Sequence, residues 1–91
     1  MLFNLGTIVH TPGFAALAGK NIEPTMYKLI QRHAKGDWGN LVDEDKQMND
    51  DAIIPGQESR ILSRYDVNGE SVYVITEWDR SVTTFLLPSE Y

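Results

Sequence analysis

Hydrophobic and polar residues alternate most regularly in the last third of the chain, from Arg60 to Leu87. Alternation with a period of two is the signature of a strand with one buried face. The runs here are rich in β-branched and aromatic residues and predict a three-stranded antiparallel meander. Asn68-Gly69 is the strongest turn signal, because both central residues of a type I′ hairpin need positive φ. With that loop fixed, Tyr65 faces Val72, Ser63 faces Val74 and Ile61 faces Thr76. On the other side of the strands Arg64 meets Tyr73, Leu62 meets Ile75 and Arg60 meets Glu77. A second tight turn at Asp79-Arg80 sets Thr76 opposite Thr83, Val74 opposite Phe85 and Val72 opposite Leu87.

Two faces follow. One carries Ile61, Ser63, Tyr65, Val72, Val74, Thr76, Thr83, Phe85 and Leu87, and is the expected core face. The other carries Arg60, Leu62, Arg64, Tyr73, Ile75, Glu77, Val82, Thr84 and Leu86, an apolar middle with a charged rim. A slip of one residue would exchange them, so the assignment depends on the Asn-Gly turn.

The earlier part of the chain reads as cover for the core face. Leu2–Val9 is apolar and β-prone, an expected fourth strand. Thr11-Pro12 starts a short helix, with Thr as N-cap and Pro at the first helical position, and Gly19 stops it. A second helix is expected from Pro24 or Thr25 to Gly36, burying Tyr27, Leu29, Ile30 and Ala34. Lys28, Arg32 and Lys35 lie toward its C-terminal half, where cations suit the helix dipole, and His33 reads as a surface histidine there. Trp38, in the loop Asp37-Trp38-Gly39, reads as an anchor at the core edge. Asp43-Glu44-Asp45 opens a third helix running to about Ile53, with Val42, Met48, Ala52 and Ile53 buried and the acids solvated. Pro55-Gly56 breaks the chain before the meander. The order β-α-α-α-β-β-β predicts one α+β domain over residues 1–91. It has a three- to four-stranded antiparallel sheet with two to three helices on one face.

Composition narrows the class. Ninety-one residues with a 42% hydrophobic fraction make one domain with a modest core. The absence of cysteine excludes disulfides, thiolate catalysis and zinc–cysteine sites, and fits a cytoplasmic protein. No apolar run reaches membrane-spanning length, and the first residues lack the basic region of a signal peptide. The net charge of −5 is unevenly spread. Residues 40–59 hold Asp43, Glu44, Asp45, Asp50, Asp51 and Glu58 against Lys46, whereas residues 1–36 hold Lys20, Lys28, Arg32 and Lys35 against Glu23. The overall sign disfavours nucleic acid as a partner.

A family likeness rests on several stretches. They are Arg32-His33, Gly36-Asp37-Trp38-Gly39, Asp43-Glu44-Asp45, Arg60-Ile61-Leu62-Ser63, Ile75-Thr76-Glu77-Trp78-Asp79-Arg80-Ser81-Val82-Thr83-Thr84 and the ending Leu87-Pro88-Ser89-Glu90-Tyr91. Together they resemble small uncharacterised bacterial proteins labelled plasmid-related, which travel on plasmids and other mobile elements. The likeness spans roughly Thr11 to Tyr91 and says little about activity. More loosely, helices followed by a small antiparallel sheet are similar to the barnase/RelE-type ribonuclease toxins, a likeness of fold alone.

Two functional readings compete. In the first, Arg60, Leu62, Arg64, Tyr73, Ile75 and Leu86 on the open face, with Trp78 and Arg80 at the hairpin tip, form a protein-binding surface. The partner would be a host or plasmid protein, the role that of an inhibitor or adaptor, and the same face would offer a route to a homodimer. In the second, the chain is a small metal-independent ribonuclease-type toxin using Arg64, Tyr73, Glu77 and Arg80. The bland alternative makes Arg60–Glu77 a cross-strand salt bridge and Arg64–Tyr73 a stem-on-ring contact. No cofactor or metal is expected. The acids lack the spacing of a calcium loop, His10 and His33 lack metal-ligand spacing, and there is no glycine-rich phosphate loop. The first reading is preferred, because an apolar centre suits a side chain better than a phosphate.

Overall fold

The computed structural model describes all 91 residues. Strand β1 (Thr7–His10) leads into helix α1 (Pro12–Ala18), a short 3₁₀ turn and helix α2 (Ile22–Ala34). Helix α3 (Asp43–Ala52) is followed by β2 (Ile61–Val67), β3 (Glu70–Thr76) and β4 (Val82–Leu86), and a 3₁₀ turn covers Pro88–Glu90. The sheet order is β1-β4-β3-β2.

The meander has the expected register. Ile61 pairs with Thr76 and Tyr65 with Val72, while Val74 pairs with Phe85 and Thr76 with Thr83. Asn68 and Gly69 form the two-residue loop, with φ of 50° and 84°. The second turn is wider than two residues. The Arg80 N–H donates to Glu77 O at 2.9 Å, and Arg80 takes a left-handed φ of 59°. The carboxylate of Asp79 accepts from the backbone N–H and the hydroxyl of Ser81, at 3.1 and 2.6 Å.

The sheet is mixed, not wholly antiparallel: β1 runs parallel to β4. Parallel neighbours need a long crossover, and the three helices with β2 and β3 supply it. The first strand is also shorter than the apolar run Leu2–Val9. Gly6 takes a φ of 65° and breaks the strand direction. Before it, Leu2 N–H donates to Ala34 O at 2.9 Å, which ties the chain to the end of α2.

The core face is the one expected. Ile61, Ser63, Val72, Val74, Thr76, Thr83 and Phe85 are fully buried and Tyr65 nearly so. Leu87 is only half-buried, packed at the core margin. Two apolar clusters share this face. One gathers Phe14 and Ala18 of α1 and Leu29 of α2 against Tyr65, Val67, Val72, Val74 and Phe85. The other joins Phe3, Trp38, Ala52 of α3 and Ile61. Trp38 is the expected anchor, and its indole N–H donates to Asp50 Oδ1 at 2.9 Å.

The helices depart from expectation in phase. Thr11 caps α1 as read, its hydroxyl accepting from Phe14 N–H at 3.2 Å. Helix α2 starts at Ile22, with Pro24 inside the first turn, where a missing N–H costs nothing. Its inner stripe is Ile22, Met26, Leu29, Ile30 and His33, a helical spacing that leaves Tyr27 exposed. In α3 the inward residues are Asn49 and Ala52, while Val42 and Met48 are exposed. Val42 precedes the helix as its N-cap, so it lies outside the helical periodicity.

The outer edge of β2 is closed by specific groups. The Asn49 side chain donates to Leu62 O at 2.8 Å and accepts from Leu62 N–H at 3.1 Å. Further along, Arg64 N–H donates to Trp38 O at 3.1 Å and Asn40 N–H donates to Arg64 O at 2.7 Å. Gly39 is required at this approach. Its φ is 76°, and any Cβ would overlap the Arg64 carbonyl.

Two stability outcomes follow. Phe85→Ala should cost about 3–5 kcal/mol, the usual range for truncating a core aromatic. Gly39→Ala should also destabilise by more than the ~1 kcal/mol by which Gly and Ala normally differ, since strain and overlap add. Chemical denaturation of both variants measures these losses, and wild-type stability in either would contradict the packing described.

Candidate functional site

The outer face of the sheet is less open than the alternation suggests. Ile75 and Leu86 are only 3% and 7% exposed. The turn at Pro88–Glu90 folds back over β3 and places Tyr91 across this face. The Tyr91 ring stands edge-on to Tyr73 at 5.7 Å between centroids, and its hydroxyl accepts from Arg60 Nη1 at 2.6 Å. Glu90 fastens the turn. Its carboxylate accepts from the Thr11 hydroxyl at 2.6 Å, Leu87 N–H at 2.9 Å and Gly13 N–H at 3.1 Å. Those bonds, Thr11 first, hold its pKa below the usual carboxylate range. The end of the sequence thereby becomes part of the site, clasped to the start of α1.

Arg60 and Glu77 form the cross-strand pair read from the register, with Nε and Oε1 3.5 Å apart. Such half-exposed pairs contribute about 0–1 kcal/mol. Arg64 is opposite Tyr73 in the ladder, but its guanidinium donates to the hydroxyl of Ser71 at 3.0 and 3.2 Å. Arg80 is not presented at a tip. Its guanidinium donates to Ser59 O at 2.7 Å, Ala52 O at 2.8 Å and Glu77 O at 3.1 Å, and lies over the Phe3 ring. It ties the β3–β4 loop to the end of α3. Trp78 stands alone at the tip, 65% exposed.

The structure thus brings Arg60, Leu62, Tyr73, Ile75, Glu77 and Leu86 together and turns Arg80 away from them. Beside them, Leu41, Asp45, Met48 and Asn49 of the α3 region join Arg60, Leu62 and Tyr91 around a cleft of about 270 Å³. Met48 and Tyr91 are each 66% exposed at its mouth. The cleft escaped the alternation pattern because α3 supplies half of it.

His33 is a buried residue, not a surface one. It is fully buried, with Phe3 edge-on at 5.2 Å and Trp38 at 6.0 Å between ring centroids. Its Nδ1 lies 2.6 Å from Ser63 Oγ and its Nε2 2.9 Å from Thr76 Oγ1. Thr76 Oγ1 lies 2.7 Å from Thr83 Oγ1, and the Thr83 hydroxyl donates to Leu5 O at 2.7 Å. The last bond fixes the direction of the rest. Thr83 spends its proton on Leu5, so it accepts from Thr76. Thr76 in turn accepts from Nε2–H, and Nδ1 accepts the Ser63 proton. The imidazole is neutral and every partner is satisfied. Burial lowers its pKa to about 3.

Other polar groups are structural. Arg32 forms a two-pronged contact with Asp37 at 2.7 and 3.3 Å and stacks over Tyr65, whose hydroxyl donates to Asp37 O at 2.7 Å. Arg32 holds the Asp37 carboxyl below its ordinary pKa, and burial pushes Tyr65 up to about 12. The acids of α3 are not all solvated, since Asp50 holds Trp38. No three His, Asp or Glu side chains converge closely enough to hold a metal ion, and no helix is long and apolar enough to cross a membrane. No known protein family, curated protein or solved structure matches this chain.

Two measurements check this geometry. Asp50→Ala should cost about 1–2 kcal/mol by orphaning the Trp38 indole, whereas Glu44→Gln should stay within ~0.5 kcal/mol. Acid should act through His33. The folded pKa lies below the unfolded value of 6.5, so the unfolded chain binds the extra proton. The contribution is complete above about pH 6.5 and declines toward pH 3, by about 1.4 kcal/mol per pH unit. Urea midpoints taken between pH 7 and pH 5, above the range where most carboxylates titrate, should show this slope. A flat profile would contradict the buried neutral ring.

Proposed function

We propose that this protein is a non-enzymatic protein-binding module, an inhibitor or adaptor of the kind carried by bacterial mobile elements, acting on a host or plasmid protein. The observation that carries this reading is the cleft between α3 and the outer sheet face. Met48 and Tyr91 stand exposed beside Leu41 and Leu62, with Asp45 at the rim. Apolar centres with polar rims are how protein interfaces are built, and exposed large apolar side chains in one place mark such sites. The surrounding segment, residues 40–59, carries six acids against Lys46. A partner segment with an apolar anchor between Lys or Arg side chains fits that chemistry. The acids would speed its approach and the apolar contact would hold it.

The ribonuclease alternative finds its groups engaged. Arg80 is bound to three carbonyls, Arg64 to Ser71, and Glu77 is paired with Arg60. A phosphate would have to displace these bonds, against a net charge of −5.

The test uses host proteins retained on the immobilised protein and identified by mass spectrometry, followed by titration with the purified candidate. Met48→Asp should abolish that titration with no change in melting temperature, because Met48 is exposed, and raised salt should slow association. Undiminished binding by Met48→Asp would remove the cleft from the function. Cleavage of purified RNA by wild-type protein, lost in Arg64→Ala, would replace the binding reading with the enzymatic one.

A further inference from the structure

The two edges of the sheet are treated differently. The β2 edge is closed by the Asn49 amide and by the backbone of residues 38–40. The β1 edge has no such cover. All four of its residues are exposed, Ile8 by 43% and Val9 by 39%. Apart from its shortness, four residues, it has none of the devices that usually blunt an edge: no Lys, no Pro and no bulge between Thr7 and His10.

The backbone direction on this edge can be read from the ladder. Thr7 N–H donates to Ser81 O and Thr11 N–H to Phe85 O, both at 3.0 Å. In a strand, alternate residues turn their N–H and C=O to the same side. The backbone groups of Ile8 and His10 therefore point away from β4, toward nothing in this chain.

Charge says what can approach. Residues 1–19 contain no Asp, Glu, Lys or Arg, so every one of the 13 acidic and 8 basic side chains lies beyond them. Strand β1 and helix α1 carry no charged side chain of their own, and the Glu90 carboxylate that reaches the start of α1 is taken up by the Thr11 hydroxyl and Gly13 N–H. The acidic α3 packs against β2, at the far edge of the sheet. A second copy meeting β1 edge to edge sets no like-charged side chains of the two strands against each other, whereas a charged partner finds no complement on the strand itself.

We infer that β1 pairs antiparallel with β1 of a second copy, giving a two-fold dimer with a continuous sheet. The register is set by the outward groups. Ile8 of each copy exchanges both backbone hydrogen bonds with His10 of the other, and Val9 meets Val9 on the axis. No other register engages both outward residues of both strands, because Gly6 with its φ of 65° leaves the strand direction on one side. The Val9 pair is then of the non-hydrogen-bonded kind, with Cα atoms about 4.5 Å apart. The association is concentration-dependent, since a strand of this length covers little surface. It leaves the α3 cleft free in both copies and does not rest on the function proposed for it.

The chain has no cysteine, so a single introduced one reports the register cleanly. At a Cα separation of about 4.5 Å a disulfide closes without backbone movement, within the usual range of roughly 4.4–6.8 Å. Val9→Cys should therefore convert to a covalent dimer under mild oxidation. Thr7→Cys should not, because in this register its two copies lie roughly 13 Å apart. In sedimentation velocity the wild type should move from monomer to dimer as concentration rises. Val9→Lys, which sets like charges opposite each other, should remain monomeric with an unchanged melting temperature. A wild type monomeric up to millimolar concentration would overturn the inference. So would equal crosslinking of both cysteine variants, or a dimer that survives Val9→Lys. Protection of the Ile8 and His10 amides only when another protein is added would likewise overturn self-pairing.

Discussion

One hydrogen-bonded chain runs through the middle of this fold. It passes from Ser63 of β2 to His33 of α2, then to Thr76 of β3, Thr83 of β4 and the carbonyl of Leu5. Each donor has one acceptor, and the order is possible only with a neutral ring protonated on Nε2. The chain lies where the two apolar clusters meet, so it decides how three strands, one helix and the leading segment sit together. A half-satisfied network would cost more than an apolar core, so the residues are interdependent. A one-residue slip of the meander register would turn Ser63 and Thr76 outward and leave His33 buried without partners.

The placement of this network determines what is left for function. The inner face is closed, and its polar groups are all partnered. What remains is on the outside: the cleft beside α3, the Trp78 tip and the bare β1 edge. Tyr91 and Arg80 are shared between architecture and surface. Tyr91 roofs Ile75 and Leu86 while forming one wall of the cleft, and Arg80 locks the loop that carries Trp78. The surface that looked like one open apolar face is instead a small groove with an aromatic roof, suited to one inserted side chain.

The meander was legible because Asn68-Gly69 allows a single tight hairpin and alternation does the rest. Thr11-Pro12, Gly19 and Trp38 were legible for similar local reasons. The direction of β1 was not, because a strand's sequence does not record whether its neighbour is parallel, and only the crossover settles that. For His33, position near a helix end predicts exposure, while its role is set by Ser63 and Thr76, far away in sequence. Asn49 was missed for a related reason: a polar residue on a polar helix looks solvated until the strand edge it serves is in place. Of the candidate site, Arg60, Leu62, Tyr73, Ile75 and Leu86 were recoverable from register alone. The contributions of Leu41, Met48 and Tyr91 depend on how α3 and the final turn dock. A place at a loop tip predicts exposure for Arg80, whereas its guanidinium is held against the carbonyls of Ser59, Ala52 and Glu77, partners far from it in sequence or hidden in the turn.

The most direct test of the central network is the ¹⁵N NMR of the His33 imidazole across pH. The described hydrogen bonds predict one neutral tautomer, protonated on Nε2, with no titration from pH 8 down to the onset of acid unfolding; its folded pKa lies at about 3. A His33 ring that titrates reversibly near 6.5 in the folded protein, or that carries its proton on Nδ1, would contradict the network and the packing built around it.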